Sequence, residues 1–555
     1  MLFCVVLSNC AVVRLTVYRK MCYNHKNRFF NNNKSIIQIV RKKMVLDYII
    51  LGLYALGMVG IAIYTRNRSK TVNDFLMAGK KGLNGWMSAF AYGTTYFSAV
   101  IFIGYAGKFG QQYGLAAVWI GIGNAVIGSL FAWLVLAKRT KRMTHRLSSR
   151  TMPEFFEKRF NSSSLKLVSA IIIFLFLIPY SASVYNGLSS LFEIVFNVPG
   201  WIVMIVLAAL TALYLFFGGY FATALSDFIQ GIIMLIGVVA MVICFMNYKT
   251  VDWDIVELAT SSELGWFTFT SEHTGLYGNT VSLLSLIMLT SFGVWALPQT
   301  VHKYHAIRDD KAIMQGTIVS TLFALIIGFG AYFTGALSYY FPELAGVGGD
   351  NIIPHMMKIV IPTGLIGVIA VLILSASMST LSSVSLASAS VVAVDIYKGR
   401  INPKASDRRT NWTMKILCLV FVAISVVLAV LNEKFKISAI AYLMGLSWGV
   451  LAGCFIGPYV LGLLWKKVTV PAVWSSIIGT LVLTVALIFV FGYDKNGWDC
   501  TFGKALQDGI GCSPMIGVIC MAYSMLVTFV VSLFTKAPDK KTIEAAFAPK
   551  EEKAV

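Results

Sequence analysis

The sequence predicts an all-α polytopic membrane protein with about thirteen transmembrane helices, and three observations predict it. Of 555 residues, 57% are hydrophobic and 13% charged, about half the charged share of an ordinary soluble domain; the mean hydropathy is +0.75. Apolar stretches of about 20 residues recur along the whole length, each long enough to cross a bilayer as a helix. Lys and Arg gather in alternate connecting segments, as they do where cytoplasmic loops orient membrane helices. So little polar surface cannot cover a water-soluble globule of this size. A soluble enzyme, a disordered chain and a secreted disulfide scaffold are excluded.

The expected spans lie near 45–65, 85–107, 114–137, 167–192, 200–217, 226–246, 278–299, 313–340, 364–393, 413–431, 437–464, 470–492 and 513–535. One set of loops holds Arg66 to Lys70, Lys138 to Arg142, Lys303 to Lys311, Lys398 to Arg409, Lys466-Lys467 and the tail from Lys536. It carries 29 Lys/Arg, and the opposite set, with Lys108, carries seven. The richer set is therefore cytoplasmic. Thirteen crossings then put the N-terminal side of the first span outside and the C-terminus inside, as expected of a multi-pass plasma-membrane protein. The net charge of +21 is explained by these loops. No basic, aromatic-interleaved face stands outside the spans to bind nucleic acid, and no obligate protein partner is implied.

Residues 1–43 hold nine Lys/Arg and no acidic residue. They would lie on the wrong side of this topology, and the apolar stretch from Met1 to Val13 has no basic residue ahead of it and no small-residue cleavage site. They are expected to be a non-native or disordered extension, with translation starting at Met44; from there the net charge is +12. The transmembrane domain is expected over 44–535, with a cytoplasmic tail over 536–555. The sequons at Asn67, Asn161 and Asn411 fall in cytoplasmic loops, so no glycan is expected. Cys500 and Cys512 share one external segment. Two free thiols are expected there, with a disulfide as the alternative.

Helices that break inside a membrane expose backbone groups where a site needs them. Two spans look breakable. The second reads Ala89-Phe90-Ala91-Tyr92-Gly93-Thr94-Thr95-Tyr96-Phe97-Ser98, then Gly104, Gly107 and Gly110; the seventh reads Thr290-Ser291-Phe292-Gly293-Val294-Trp295-Ala296-Leu297-Pro298-Gln299. They open two consecutive five-span blocks, 85–246 and 278–464. Matched interruptions in two halves point to a transporter with inverted repeats, although a single Gly in a membrane helix more often serves close packing.

The ninth span carries the strongest signal. Ser375, Ser379, Ser382, Ser383 and Ser390 recur at helical steps, with Thr380 beside them. This strip of oxygen ligands without formal charge suits a hard monovalent cation, whose shell freed carbonyls would complete. Asp227, opening the sixth span, is either an intramembrane functional carboxylate or a helix-start residue facing the dipole. Asp47 and Asp395 are read as helix-end residues.

These features resemble the sodium:solute symporter family over roughly 44–535. The matching motifs are Gly218-Gly219 leading to Ser226-Asp227, Ala376-Ser377-Met378-Ser379-Thr380-Leu381-Ser382 ending in Asp395-Ile396-Tyr397-Lys398, and Gly457-Pro458 through Trp465-Lys466-Lys467-Val468-Thr469. The resemblance implies a leucine-transporter-type fold of 5+5 inverted repeats with outer helices, and alternating access driven by sodium. It implies a main sodium site from the carbonyls of Thr94, Phe97 and Ala376 and the hydroxyls of Ser379 and Thr380. A two-sodium design would add Asp227, Ser382 and Ser383. Sugar-transporting relatives carry an Asn and a Glu-Gln pair near the second-span break, and sialic-acid relatives an Arg in the fourth span. This chain has neither, so the resemblance points to a small organic solute of the amino-acid, monocarboxylate or vitamin type, with sugar or sialic acid as the alternative. Tyr96, Ser98, Tyr180, Trp295 and Gln299 are candidate lining residues, each equally suited to ordinary packing.

Other classes fit less well. A cation channel would show repeated filter loops or charge rings. A transport-derived sensor would need a signalling domain beyond the short tail. A membrane enzyme would show a motif such as His-Glu-x-x-His or Gly-x-Ser-x-Gly.

Overall fold

The computed structural model describes residues 30–69, 71–77, 82–267, 278–362, 364–435 and 440–547, with side chains from residue 44 onward. The expectations for residues 1–29 and for the end of the tail, 548–555, lie outside the described residues. The helix containing the first span, α1 (Phe30–Thr65), begins ahead of Met44. The second span is two pieces, α2 (Gly85–Tyr96) and α3 (Ala106–Tyr113). A largely helical run from Gly114 to Leu147 forms the third. There follow α4 (Ser163–Phe196), α5 (Gly200–Met246), α6 (Asn279–Gly293), α7 (Pro298–His305), α8 (Asp310–Ala336), α9 (Ile366–Ser390), α10 (Asp407–Phe435), α11 (Ile440–Ile456), α12 (Val470–Asn496) and α13 (Ser513–Phe534). Among the described residues there is no named strand; the chain touches itself in β fashion at the isolated bridge of Leu83 with Ile307.

Eleven helical runs among the described residues are long and apolar enough to cross a membrane. Two are too long to cross once. Helix α5 has 47 residues and the run Val100–Leu147 has 48, each about 70 Å of helix against a hydrocarbon core of about 30 Å. Glycine turns both. Gly219 has φ 56° and ψ −153° inside α5, and Gly114 has φ 56° between α3 and the third span. Positive φ with the Gly219 ψ is a conformation in which a Cβ is strained, and a Cβ there would also sit 2.7 Å from the Phe75 ring. Dividing the two runs at these glycines gives the thirteen spans.

Burial separates centre from periphery. In the most apolar stretch of the run from Ile366 to Ile401, which begins with α9, 94% of residues are buried, against 22% in the first helix and 33% in α10 and in α12. Helix α9 packs against α1, α2, α4, α5 and α7. Its hydroxyls therefore face protein rather than lipid, where each needs a partner. Asp47 of α1 caps its start, its Oδ1 accepting from the Gly364 and Gly367 N–H at 3.0 and 2.9 Å. Near its far end Asp395 accepts from Thr151 Oγ1 at 3.0 Å and lies 3.8 Å from Lys166 Nζ. Read from sequence as helix-end residues, both lie inside helical runs instead: Asp47 within α1, where it caps the start of another helix, and Asp395 within the run that continues α9 to Ile401. Helices α11, α12 and α13 pack on one another. Cys500 and Cys512 are free thiols.

Candidate cation and solute site

The site begins where α2 stops. Asn84 caps its start, its side chain accepting from the Met87 N–H at 2.8 Å. Twelve residues later the backbone turns extended at Phe97, φ −99° and ψ 99°, whose N–H still reaches the Gly93 carbonyl at 3.0 Å. Helical geometry resumes at Ala99, and Ser98 bonds forward, its carbonyl to the Ile101 N–H at 3.0 Å and its Oγ to the Val100 N–H at 3.3 Å. The last carbonyls of α2 therefore lose their partners four residues on.

Helix α9 meets those carbonyls. Ser379 Oγ donates to the Thr94 carbonyl at 3.0 Å and approaches that of Ala376 at 3.2 Å. Thr380 Oγ1 lies 3.3 Å from the Thr94 carbonyl and 3.4 Å from that of Thr95. All are buried. Four of the five residues expected to hold sodium, Thr94, Ala376, Ser379 and Thr380, thus share one cluster of uncharged oxygens. Phe97 stands in the break itself, and the two hydroxyls turn to Thr94 and Thr95 rather than to its carbonyl. Such a cluster suits a small hard cation: hydroxyl protons rotate away and lone pairs turn inward.

One helical turn further along α9 the chemistry changes. Ser383 Oγ is 2.9 Å from Thr95 Oγ1 and accepts from Lys303 Nζ at 2.8 Å. That ammonium lies 3.5 Å from Asp227 Oδ2, the lysine side chain 1% and the aspartate 0% exposed, and 5.1 Å from the Tyr220 ring centre. Ser382 bonds back to the Ser379 carbonyl at 2.9 Å. Asp227 is thus an intramembrane carboxylate with a buried partner. Lys303, counted from sequence among the cytoplasmic loop residues, lies instead on α7, just past the break of the seventh span at Leu297, φ −74° and ψ 126°. Its sequence neighbourhood, Gln299 to Arg308, reads as a polar loop, so burial was not legible there. Thr95 was also missed, because nothing in Thr94-Thr95 distinguishes the two hydroxyls without the break.

The candidate solute residues divide. Tyr96 donates to the Thr290 carbonyl at 2.7 Å and stacks on Trp448, ring centres 6.1 Å apart. Tyr180 packs edge-to-face with Trp448, ring centres 5.7 Å apart. The Tyr180 hydroxyl lies near the hydroxyls of Ser98 and Thr380 and near the Trp448 indole without a hydrogen bond to any of them. Tyr96, Ser98 and Tyr180 are therefore gathered around the break, next to the oxygen cluster. Trp295 is directed elsewhere: its indole N–H donates to the Ile127 carbonyl of the third span at 2.9 Å. Gln299 is buried on α7 with neither amide atom partnered. Trp448 was not singled out from sequence; its signal is the small-residue setting Gly445, Ser447 and Gly449, which lets α11 approach closely.

Residues 75–479 match the model of the sodium:solute symporter family. The osmoregulated proline transporter OpuE of Bacillus subtilis is 28% identical over 90% of this chain and 96% of its own length. The sodium/proline symporter of Haemophilus influenzae is 28% identical over 88% of this chain and 94% of its own. Among solved structures, a sodium-coupled sialic acid symporter in a substrate-bound outward-open state superposes with a TM-score of 0.71, at 19% identity over 89% of this chain and 98% of that one. Mhp1, a nucleobase-cation-symport-1 family transporter, superposes at 0.50 with 14% identity over 86% of this chain and 98% of that one. The architecture is that of the leucine-transporter-type fold. The chain belongs to the sodium:solute symporter family: it is a membrane transporter, not an enzyme, and it couples solute import to sodium.

Proposed function

We propose that this member of the sodium:solute symporter family binds its driving sodium between the break in α2 and helix α9, and imports a small amino acid or carboxylate of the proline type. The observation that carries the reading is the pair of α9 hydroxyls, Ser379 and Thr380, turned onto the Thr94 and Thr95 carbonyls. The proposed ligands are the carbonyls of Thr94, Phe97 and Ala376 with those two hydroxyls. The solute would sit beside them, against Tyr96, Ser98 and Tyr180, with Trp448 as an apolar wall and Gln299 as a further polar contact. No Arg stands in α4 to pair a carboxylate, so backbone N–H groups at the break and hydroxyls would receive it. The names of the relatives support proline as the first compound to try.

The proposed repeats are 85–246 and 278–464 within a transmembrane domain of 44–535. The proposed orientation follows the Lys/Arg asymmetry, with the C-terminal tail in the cytoplasm of a plasma-membrane protein. Purified protein in liposomes, given an inward sodium gradient, should concentrate radiolabelled proline or another member of a panel of small amino acids, lactate, pantothenate, a hexose and sialic acid. Dissipating the sodium gradient should stop it. Concentrative uptake that follows a proton gradient and ignores sodium defeats the reading.

A further inference from the structure

Asp227, Ser383 and Thr95 come from three helices, α5, α9 and α2, and converge in the buried centre with one formal negative charge and several neutral oxygens. That is the donor set of a monovalent cation site, and a positive charge already stands in it. We propose that the Lys303 ammonium is a tethered cation holding the position a second sodium would take, so that the protein binds one sodium and not two. The proposal rests on the reading of Thr94, Ala376, Ser379 and Thr380 as the sodium site.

Three observations carry it. The ammonium donates to Ser383 at 2.8 Å and faces Asp227 at 3.5 Å, an ion pair without a hydrogen bond, so its charge stands among the oxygens that a diffusible ion would need. It is capped by the Tyr220 ring at 5.1 Å, a face that attracts a cation. Both charged side chains are almost wholly buried, where a charge must be paired. One carboxylate balances one cation. A sodium added beside the ammonium at about 4 Å would meet a repulsion that lowers its affinity roughly a thousandfold at the effective dielectric of a protein interior. Lysine suits the task as a compact charge on a flexible stem.

The two cation positions are joined. Thr95 gives its hydroxyl to the Ser383 contact and its carbonyl to Thr380, and Ser383 follows Ser379 by one helical turn. The tethered charge comes from α7, the piece beyond the break of the seventh span. The half-helices of both breaks thus reach α9 one turn apart, α2 through the proposed sodium ligands and α7 through an ammonium.

Equilibrium binding of radioactive sodium to the full chain in nanodiscs, without solute, tests this. The wild type should bind one sodium per chain, and Thr380→Ala should weaken it severely. Lys303→Met should raise the number to two, because Asp227 is then left to a diffusible ion. The double variant Asp227→Asn/Lys303→Met should return it to one. Two sodium ions on the wild type, or one on a folded Lys303→Met protein, overturns the proposal while leaving the first site standing. No saturable sodium on folded wild type removes the first site and this proposal with it. Two sodium ions on the wild type overturn the proposal even if a variant does not fold.

Discussion

Two oxygen clusters stand one turn apart on α9, and they differ in where positive charge comes from. At Ser379 and Thr380 every donor atom is neutral: two hydroxyls against carbonyls freed by the break in α2. At Ser383 the cluster holds two groups of opposite formal charge, Asp227 and Lys303. Neutral oxygens bind a cation without demanding one, so such a site can fill and empty during a transport cycle. A buried carboxylate demands compensation at all times. On the proposed reading, the same strip of hydroxyls would serve a mobile charge and a fixed one, according to whether a formal negative charge stands opposite.

The largest effect should come from breaking the fixed side. Asp227→Asn leaves the Lys303 ammonium buried with no counter-ion. Removing one partner of a buried pair typically costs about 3–5 kcal/mol, so the variant should show a sharply lowered unfolding midpoint and poor membrane yield. Pairing it with Lys303→Met should restore much of the loss, since neither charge remains. A double variant no more stable than Asp227→Asn alone would show that the two residues do not form a unit.

The mobile side should respond differently. Thr380→Ala removes one hydroxyl without leaving an unpaired charge, and Ala suits the helix, so the protein should fold. Loss of one oxygen ligand, by analogy with an unmade polar contact, is worth about 1–3 kcal/mol, a rise of about 5- to 150-fold in the sodium concentration for half-maximal uptake. Solute selectivity should hold. Unchanged sodium activation at normal expression would take α9 out of the sodium site.

This contrast also marks what the sequence discloses. The spans, the breaks and the ninth-span hydroxyls are periodic or compositional, so they are legible: Ser379, Ser382 and Ser383 recur at helical steps, and Gly218-Gly219 falls where a 47-residue helix has to turn. Lys303 is not periodic. It lies among His302, His305, Arg308 and Lys311, and local composition places such a residue in a loop. Its burial follows from Leu297 turning the chain so that α7 lies against α9 and α2, a tertiary event with no local signature. Trp448 and Thr95 were hidden likewise, their roles set by what packs opposite. Trp295 was legible as an aromatic at a break, yet its indole N–H goes to Ile127.

Tyr180→Phe should sharpen the division between ion and solute. The hydroxyl lies near Ser98 and Thr380 without bonding to either, while the ring packs on Trp448 at 5.7 Å. Phe keeps the ring contact and removes only the polar end. If that end meets the solute, its half-saturating concentration should rise about 2- to 10-fold, the cost of one modest hydrogen bond, with sodium activation almost unmoved. An equal change in sodium dependence would mean that the hydroxyl belongs to the cation shell.

Ser390→Ala should have the smallest effect, and it bounds the functional part of the hydroxyl strip. Ser390 lies ten residues beyond Thr380, about 15 Å along the helix axis, at the same period as the residues above. Its Oγ donates to the Ala387 carbonyl of its own helix at 2.8 Å. A hydroxyl spent on a carbonyl of the preceding turn competes with the helix and adds little to it. Replacing it with Ala removes donor and acceptor together, leaves the carbonyl to its helical partner, and fills most of the same volume. Sodium activation and solute affinity should each stay within about twofold of wild type, under 0.5 kcal/mol. A larger shift in sodium activation would extend the ion's path along α9 toward Asp395, and the strip would act as a row of stations rather than two clusters.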